Sequence, residues 1–337
     1  MIDTICTLEA REGLARLADG SVDCVLTSPP YWACRDYGVA PTNWADGSVS
    51  ALGLEADLEG YLDHLVEVFD QVRRVLKDSG SLWVNLGDVY AGAWGISPTP
   101  AEVHSQPAHA GAHGWNHPAN PRRGRGRRVR FPVPEKSLCL IPERFALRMV
   151  ERGWVLRNVI VWAKSNFLPA SVKDRFACGH ERVFLFVKSS RYYFGLDAVR
   201  VPHADASRAR TAPHRTFRHF KGERLVSGLG RHRLLHPKGK NPGDVWTIPT
   251  SASFGGHPAV FPERLCERPI LAGCPPGGLV LDPFAGSGTT CVVARRLGRR
   301  FIGFEASAQY AELARLRLIA SGPGASSSSP EGGERAA

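Results

Sequence analysis

No apolar run in the 337 residues is long enough to span a bilayer, and no signal peptide opens the chain. Both absences predict a soluble protein of a reducing compartment, cytoplasmic in type, with no membrane partner. Eight cysteines (6, 24, 34, 139, 178, 266, 274 and 291) include no Cys-x-x-Cys pair, which argues against a zinc knuckle and a disulfide framework. Cys178-Gly179-His180 is a lone pair of ligand types and reads as structural, so no metal is expected. Internal repeats are also absent. Acidic residues are in the minority: 43 Lys and Arg stand against 32 Asp and Glu, and the net charge of +11 suggests a polyanionic partner.

What is present centres on a turn near the C-terminal end, Leu281-Asp282-Pro283-Phe284-Ala285-Gly286-Ser287-Gly288-Thr289-Thr290. The apolar run 278–281 before it reads as a buried parallel strand, and 291–298 after it has helix spacing with a closing glycine. Glycines at a strand-to-helix handover clear side chains away, so that helix N-terminal amides face a ligand. The next strand, 301–304, ends in Glu305, where dinucleotide-type folds place an acid on ribose hydroxyls. No lysine follows Gly288, which disfavours a nucleoside triphosphate, and the third glycine of a dinucleotide fingerprint is missing. A tight turn without a ligand remains the alternative.

From the N-terminus, residues 2–8 predict a strand, Leu14 and Leu17 mark a short amphipathic helix, and Asp19-Gly20 turns the chain into a strand at 22–26. That strand runs into Thr27-Ser28-Pro29-Pro30-Tyr31-Trp32. Adjacent prolines forbid helix and ladder pairing, which leaves an extended loop with outward carbonyls, a hydroxyl and two aromatic faces. Such a loop either packs its aromatics into the core or clamps a planar heterocycle. A helix at 58–76 stops at Asp78-Ser79-Gly80, and a strand follows at 81–86. Residues 90–130 then break every period and close with arginines 122, 123, 125, 127, 128 and 130. They form either a solvated insertion or an arm that orders on phosphates.

Further on, 141–152 reads as a helix, and strands at 155–162 and 183–187 are close enough to pair antiparallel. Residues 200–240 are basic again, with Arg215 and Arg218 among interleaved histidines and phenylalanines, as nucleic-acid contact wants. The irregular histidine spacing argues against metal. An apolar pattern returns at 245–248. Helices are expected at 261–271 and 308–318, and the Ser/Gly/Pro-rich tail 322–337 reads as disordered.

The two loops together resemble the amino-methyltransferases that methylate exocyclic amines of DNA bases with S-adenosylmethionine. Residues 27–32 look like the catalytic motif of that family and 282–290 like its cofactor motif, in the beta-class order. Segments 171–176, His180-Glu181, 243–246 and His257-Pro258-Ala259-Val260-Phe261-Pro262 agree, so the resemblance covers most of residues 3–319. It implies an α/β class I methyltransferase fold: a Rossmann-like, mostly parallel sheet with an antiparallel edge hairpin, plus irregular target-recognition insertions. The cofactor strand should lie beside strand 22–26, with 155–162 and 183–187 as the hairpin. Residues 1–90, 131–199 and 241–320 would form the methyltransferase domain, 91–130 a basic flexible insertion, 200–240 the target-recognition region, and 321–337 the tail.

By the same resemblance, Gly286 and Gly288 let the backbone approach S-adenosylmethionine, with Asp282, Phe284, Ser287, Thr289 and Thr290 around its methionine end. Glu305 accepts from the ribose, and His257, Pro258 and Phe261 complete the cofactor site. Glu9 stands where many relatives carry Asp for the adenine amine. Ser28 Oγ and the Pro29 carbonyl accept hydrogen bonds from the target amine, Pro30 keeps the loop rigid, and Tyr31 stacks on the flipped base. Trp32 beside the base and Arg122, Arg123, Arg125, Arg127, Arg128, Arg215 and Arg218 would contact double-stranded DNA. No cysteine follows a proline, which disfavours a cytosine-C5 enzyme. In the family Ser at the first motif position goes mostly with cytosine N4, whereas Asp or Asn goes with adenine N6, so Ser28 points to cytosine. Adenine N6, an RNA substrate and a catalytically silent DNA-binding protein are the alternatives. The resemblance also allows a homodimer and a cognate restriction endonuclease.

Overall fold

The computed structural model describes residues 1–91, 131–167, 169–205, 235–251 and 261–322. Its strands are β1 (Thr4–Thr7), β2 (Val22–Thr27), β3 (Thr42–Asn43), β4 (Val49–Ser50), β5 (Leu76–Leu86), β6 (Val155–Ala163), β7 (His180–Val187), β8 (Val245–Thr247), β9 (Leu279–Asp282) and β10 (Arg300–Glu305). Eight of them form one sheet in the order β1-β10-β9-β2-β5-β7-β6-β8, while β3 and β4 pair in a small ribbon. The central strands β2, β9 and β10 are almost wholly buried, because both faces of the sheet are covered there. Val25, Val84 and Phe184 point into a core shared with helices α1 (Ala10–Ala15), α2 (Leu58–Val75) and α3 (Ile141–Glu151). Leu26, Trp83 and Leu185, each next to one of these in its strand, face α4 (Glu263–Gly273), α5 (Thr289–Arg296) and α6 (Ala308–Ala320).

Helix ends are fixed by side chains local and distant. The Asp57 carboxylate accepts from Gly60 N at 2.9 Å and opens α2. Helix α3 has no cap of its own at Leu140. Asp88, just beyond β5, supplies one by accepting from Leu140 N and Ile141 N at 3.0 and 3.1 Å.

The pairs β1–β10, β10–β9, β9–β2 and β2–β5 are all parallel, so these strands end at one pole of the sheet. Cys24 lies opposite Val280 and Val25 opposite Leu281, which sets the cofactor-motif strand beside the catalytic-motif strand, as expected. The strands succeeding β9 and β2 build outward in opposite directions, and this reversal opens a crevice between them.

Two local readings of the sequence are corrected. Helix α2 ends at Val75, and β5 begins at once, running through Asp78-Ser79-Gly80 where a turn was expected. Leu76 pairs with Val22 and the register then shifts, so the three residues form an irregularity within the strand. Gly80 fits there because a Cβ would meet the Asp23 carbonyl oxygen at 2.9 Å. The antiparallel hairpin β6–β7 forms as expected, but it is not the edge. Strand β8 adds outside it, parallel to β6, with Trp246 opposite Trp162 and nearly buried.

Candidate active site

Strand β9 delivers Asp282 to the crevice almost fully buried. Its Oδ1 accepts from Thr27 Oγ1 at 2.6 Å and from Phe284 N at 3.1 Å. Thr27 is the last residue of β2, so this bond ties the two motifs together across the sequence. Burial pushes the Asp282 carboxyl up to about 6, opposed by the hydrogen bonds from Thr27, Thr290 and Phe284. Past Asp282 the chain turns at Gly286, whose φ of 53° is in the left-handed region. Gly286 N donates to Glu305 Oε2 at 2.8 Å, and Ser307 N donates to Glu305 Oε1 at 2.8 Å. The acid ending β10 therefore holds the glycine turn and the entry to α6 at once. Thr7 of β1 lies opposite Glu305, and Glu9 follows it. Glu9 Oε2 caps α1 by accepting from Arg11 N and Glu12 N, while Oε1 makes no hydrogen bond among the described residues. Burial raises the carboxyls of both Glu9 and Glu305 above their ordinary range. Tyr37 and Tyr310 meet edge to face at 6.4 Å close to Glu305 and add an aromatic wall.

The catalytic-motif loop is pinned from behind. Tyr61 OH on α2 donates to the Pro30 carbonyl at 2.9 Å, which turns that carbonyl inward instead of outward. Ala33 N donates to Gly53 O at 2.9 Å, and Trp32 Nε1 donates to Glu55 O at 3.2 Å. Glu55 itself is buried against His64, Oε1 to Nδ1 at 3.1 Å, so the support under the loop is a polar pair inside the core. In front, Ser28 Oγ lies 3.4 Å from Tyr31 OH, and Tyr31 OH donates to Glu181 Oε2 at 2.9 Å. Asn85 Nδ2 reaches Tyr31 OH at 2.7 Å and Glu181 Oε2 at 2.8 Å, while Lys164 Nζ pairs with Glu181 Oε1. Burial first, then the Glu181 charge, pushes the Tyr31 phenol well above its usual value, so it stays a neutral donor. The Tyr31 ring edge lies where a Cβ on Gly87 would be, 2.6 Å away.

Asn85, Glu181, Lys164 and Gly87 are site residues that sequence reasoning passed over. His180-Glu181 was noted only as a family-like segment, and no spacing rule joins residues carried on β5, β6 and β7. A signal existed in the polar Asn85 near the end of an apolar strand. Its amide has a further mark of function: Oδ1 is buried without a hydrogen-bond partner among the described residues.

The structure places the other expected residues as follows. Trp32 has no exposed surface and packs edge-on against Phe131 at 5.4 Å, as a core residue. Ser287 and Thr289 are buried, and Arg317 of α6 donates to their hydroxyls at 3.3 and 2.8 Å. Thr290 Oγ1 points back to Leu26 O at 3.4 Å. These hydroxyls tie α5 to α6 and to β2, and Thr290 also bonds the Asp282 carboxylate. Gly288 is needed for its φ of 77° and for packing, since its Cβ would stand 3.0 Å from Ala314 and Ile5. Phe284 and Gly286 are the partly exposed members of the turn. Phe261 is half-buried on the α4–α6 side of the sheet. His257, Pro258, Arg122, Arg123, Arg125, Arg127, Arg128, Arg215 and Arg218 lie outside the described residues, as does most of the tail.

A family model described as DNA methylase matches residues 22–316. The chain is similar to the Type II methyltransferase M.SmaI of Serratia marcescens, 35% identical over 315 residues that span 92% of this chain and 89% of that protein. It is 36% identical to the Type II methyltransferase M.Cfr9I of Citrobacter freundii, over 92% of this chain and 85% of the relative. Among solved structures, the PvuII DNA methyltransferase (cytosine-N4-specific) superposes with a TM-score of 0.59 at 21% identity, covering 93% of this chain and 85% of that one, a likeness of fold. A Thermus thermophilus protein solved with S-adenosyl-L-methionine gives 0.53 at 25% identity, over 95% of each chain.

Proposed function

The chain belongs to the N6/N4 DNA methylase family, and on that premise we propose that it methylates the exocyclic N4 amine of a cytosine flipped out of double-stranded DNA. What supports this is the Thr27–Asp282 hydrogen bond of 2.6 Å, which sets Ser28 and the Gly286–Glu305 turn in one crevice. The residues there suit S-adenosyl-L-methionine. Two carboxylates suit its hydroxyls and amine, Glu305 ending β10 and Glu9 just beyond the neighbouring β1, and the partly exposed Gly286 leaves room for a close approach. Tyr37 and Tyr310 offer ring faces and edges beside them. When bound, the cofactor supplies an electrophilic methyl group on sulfur.

The protein side of the chemistry is positioning and polarity. An aromatic amine is a poor nucleophile because its lone pair is delocalised into the ring. Ser28 Oγ accepts a hydrogen bond from that amine and helps its nitrogen pyramidalise. Tyr31 stacks on the base while Glu181 and Asn85 hold its phenol, and Gly87 leaves space for its ring. A hydroxyl in place of the acid or amide usual for adenine favours cytosine. Residues 1–90, 131–199 and 241–320 act as the methyltransferase domain. Target recognition falls to 200–240 and secondarily to 91–130, and the natural partner is a restriction endonuclease of the same specificity.

The test is methyl transfer from labelled S-adenosylmethionine to unmethylated bacterial DNA, read by nucleoside mass spectrometry. N4-methylcytosine is expected, with Ser28→Ala reducing the rate by roughly 100-fold as one transition-state contact is lost. N6-methyladenine would overturn the base assignment, and an undiminished Ser28→Ala rate would overturn the role of the hydroxyl.

A further inference from the structure

The loop from Lys164 to Gly179 joins β6 to β7 and is closed at its base by Lys164 N donating to Gly179 O at 2.8 Å. It rises from the pole of the sheet that carries Ser28, because Leu86 and Asn85 at the end of β5 pair with Arg182 and Val183 at the start of β7. Both ends of the loop enter the site directly, Lys164 and Glu181 being the ion pair behind Tyr31.

The tip of this loop is held while one side chain is left out. Lys136 Nζ pairs with Asp174 Oδ2 at 2.7 Å, and the Arg175 guanidinium lies 3.8 Å over the Tyr90 ring. Arg175 Nη1 also donates to the Phe176 carbonyl at 3.0 Å. Phe176 itself is 95% exposed, the highest figure of any large apolar side chain among the described residues. A phenyl ring this exposed gains by moving into an apolar or stacked environment. Lys173 and Arg175, close to it in sequence, are exposed as well, and cationic side chains suit flanking phosphates. Phe176 lies five positions before Glu181, so their Cα atoms are at most about 17 Å apart.

We propose that Phe176 is the wedge that enters the DNA base stack when the target base leaves it. The inference rests on the DNA methyltransferase reading and adds the element that lowers the cost of flipping: an aromatic face replaces the stacking lost to the neighbouring bases. Arg175 and Lys136 orient the ring by fixing the loop beside it. Glu181 couples the loop to Tyr31, so the wedge and the stacking platform for the extruded base sit on one support.

The experiment compares wild type, Phe176→Ala and Phe176→Trp on two duplexes containing the site that wild type methylates. In one duplex the target base is paired, and in the other it faces an abasic position and is already unpaired. Phe176→Ala is expected to lower kcat/KM roughly tenfold or more on the paired duplex, by the loss of one stacking contact, and by less than about twofold on the unpaired one. Phe176→Trp should retain most activity on both. Cofactor affinity, measured by calorimetry, should be unchanged in every variant. An equal loss on both duplexes, or no loss on the paired one, overturns the wedge while leaving the methyltransferase intact. Wild type that methylates no DNA at all instead overturns the underlying function, and that failure is visible before any variant is compared.

Discussion

Asp282 joins the two motifs through a carboxylate that its surroundings favour in protonated form. Its folded value of about 6 lies above the ordinary aspartate range near 4. The native state therefore binds the extra proton, and this group's contribution to stability is full below about pH 4 and lost as pH rises through about 6. Asp282→Asn keeps an acceptor for Thr27 Oγ1 and Phe284 N but removes the titration. The variant should match wild type near pH 4 and exceed it at pH 8 by up to about 3 kcal/mol, from two pKa units of linkage. Thermal or urea unfolding across pH 4–8 reads this directly, and parallel stability curves for the two proteins would refute it. At the residue scale, Ser28, Pro29, Pro30, Tyr31 and Gly286 could be named as candidates from sequence because each lies in a contiguous motif, and Glu305 because it ends the next strand. Asn85, Glu181 and Lys164 could not, since β5, β7 and β6 bring them together and their hydrogen bonds exist only in the folded sheet.

The α5 turn shows what an element requires of its residues. Gly288 begins α5 with φ 77°, a conformation that costs other residues roughly 1–2 kcal/mol. A Cβ there would also press on Ala314 and Ile5 at 3.0 Å. Gly20 shares the positive φ, 59°, but has no atom within 4 Å of its Cβ position. Gly288→Ala should therefore lose about 2–4 kcal/mol, backbone strain and overpacking together, against about 1 kcal/mol for Gly20→Ala. Equal urea midpoints for the two variants would show that packing contributes nothing at Gly288. Most helices and strands were legible from apolar period and stop signals, the long α2 and the short β9 alike. The turn expected at Asp78-Ser79-Gly80 was not one, because pairing with β2 outweighed local turn preference. Strand β8 was visible as an apolar patch, yet its place outside β6 depends on the Trp162–Trp246 register.

At the scale of the whole molecule, charge is the first determinant of how the protein meets DNA. The net charge of +11 includes the arginines at 122, 123, 125, 127, 128 and 130. Deleting 122–130 should weaken DNA binding and flatten its dependence on salt, by about one unit of log–log slope for each arginine that meets a phosphate. An unchanged slope and affinity would remove the arm from the interface. Sequence by itself determined the apolar runs, the glycine turn, the proline-locked loop and the acid ending β10, because period, φ restriction and motif order are local properties of the chain. Only the tertiary structure decided which motif residues are buried. Trp32, Ser287 and Thr289 went inward, since a pleated sheet covered on both faces buries whatever its loops direct back toward the helices. The ring of Asn85, Glu181 and Lys164 behind Tyr31 was likewise decided there, because strand pairing sets neighbours by hydrogen-bond register and not by distance along the chain.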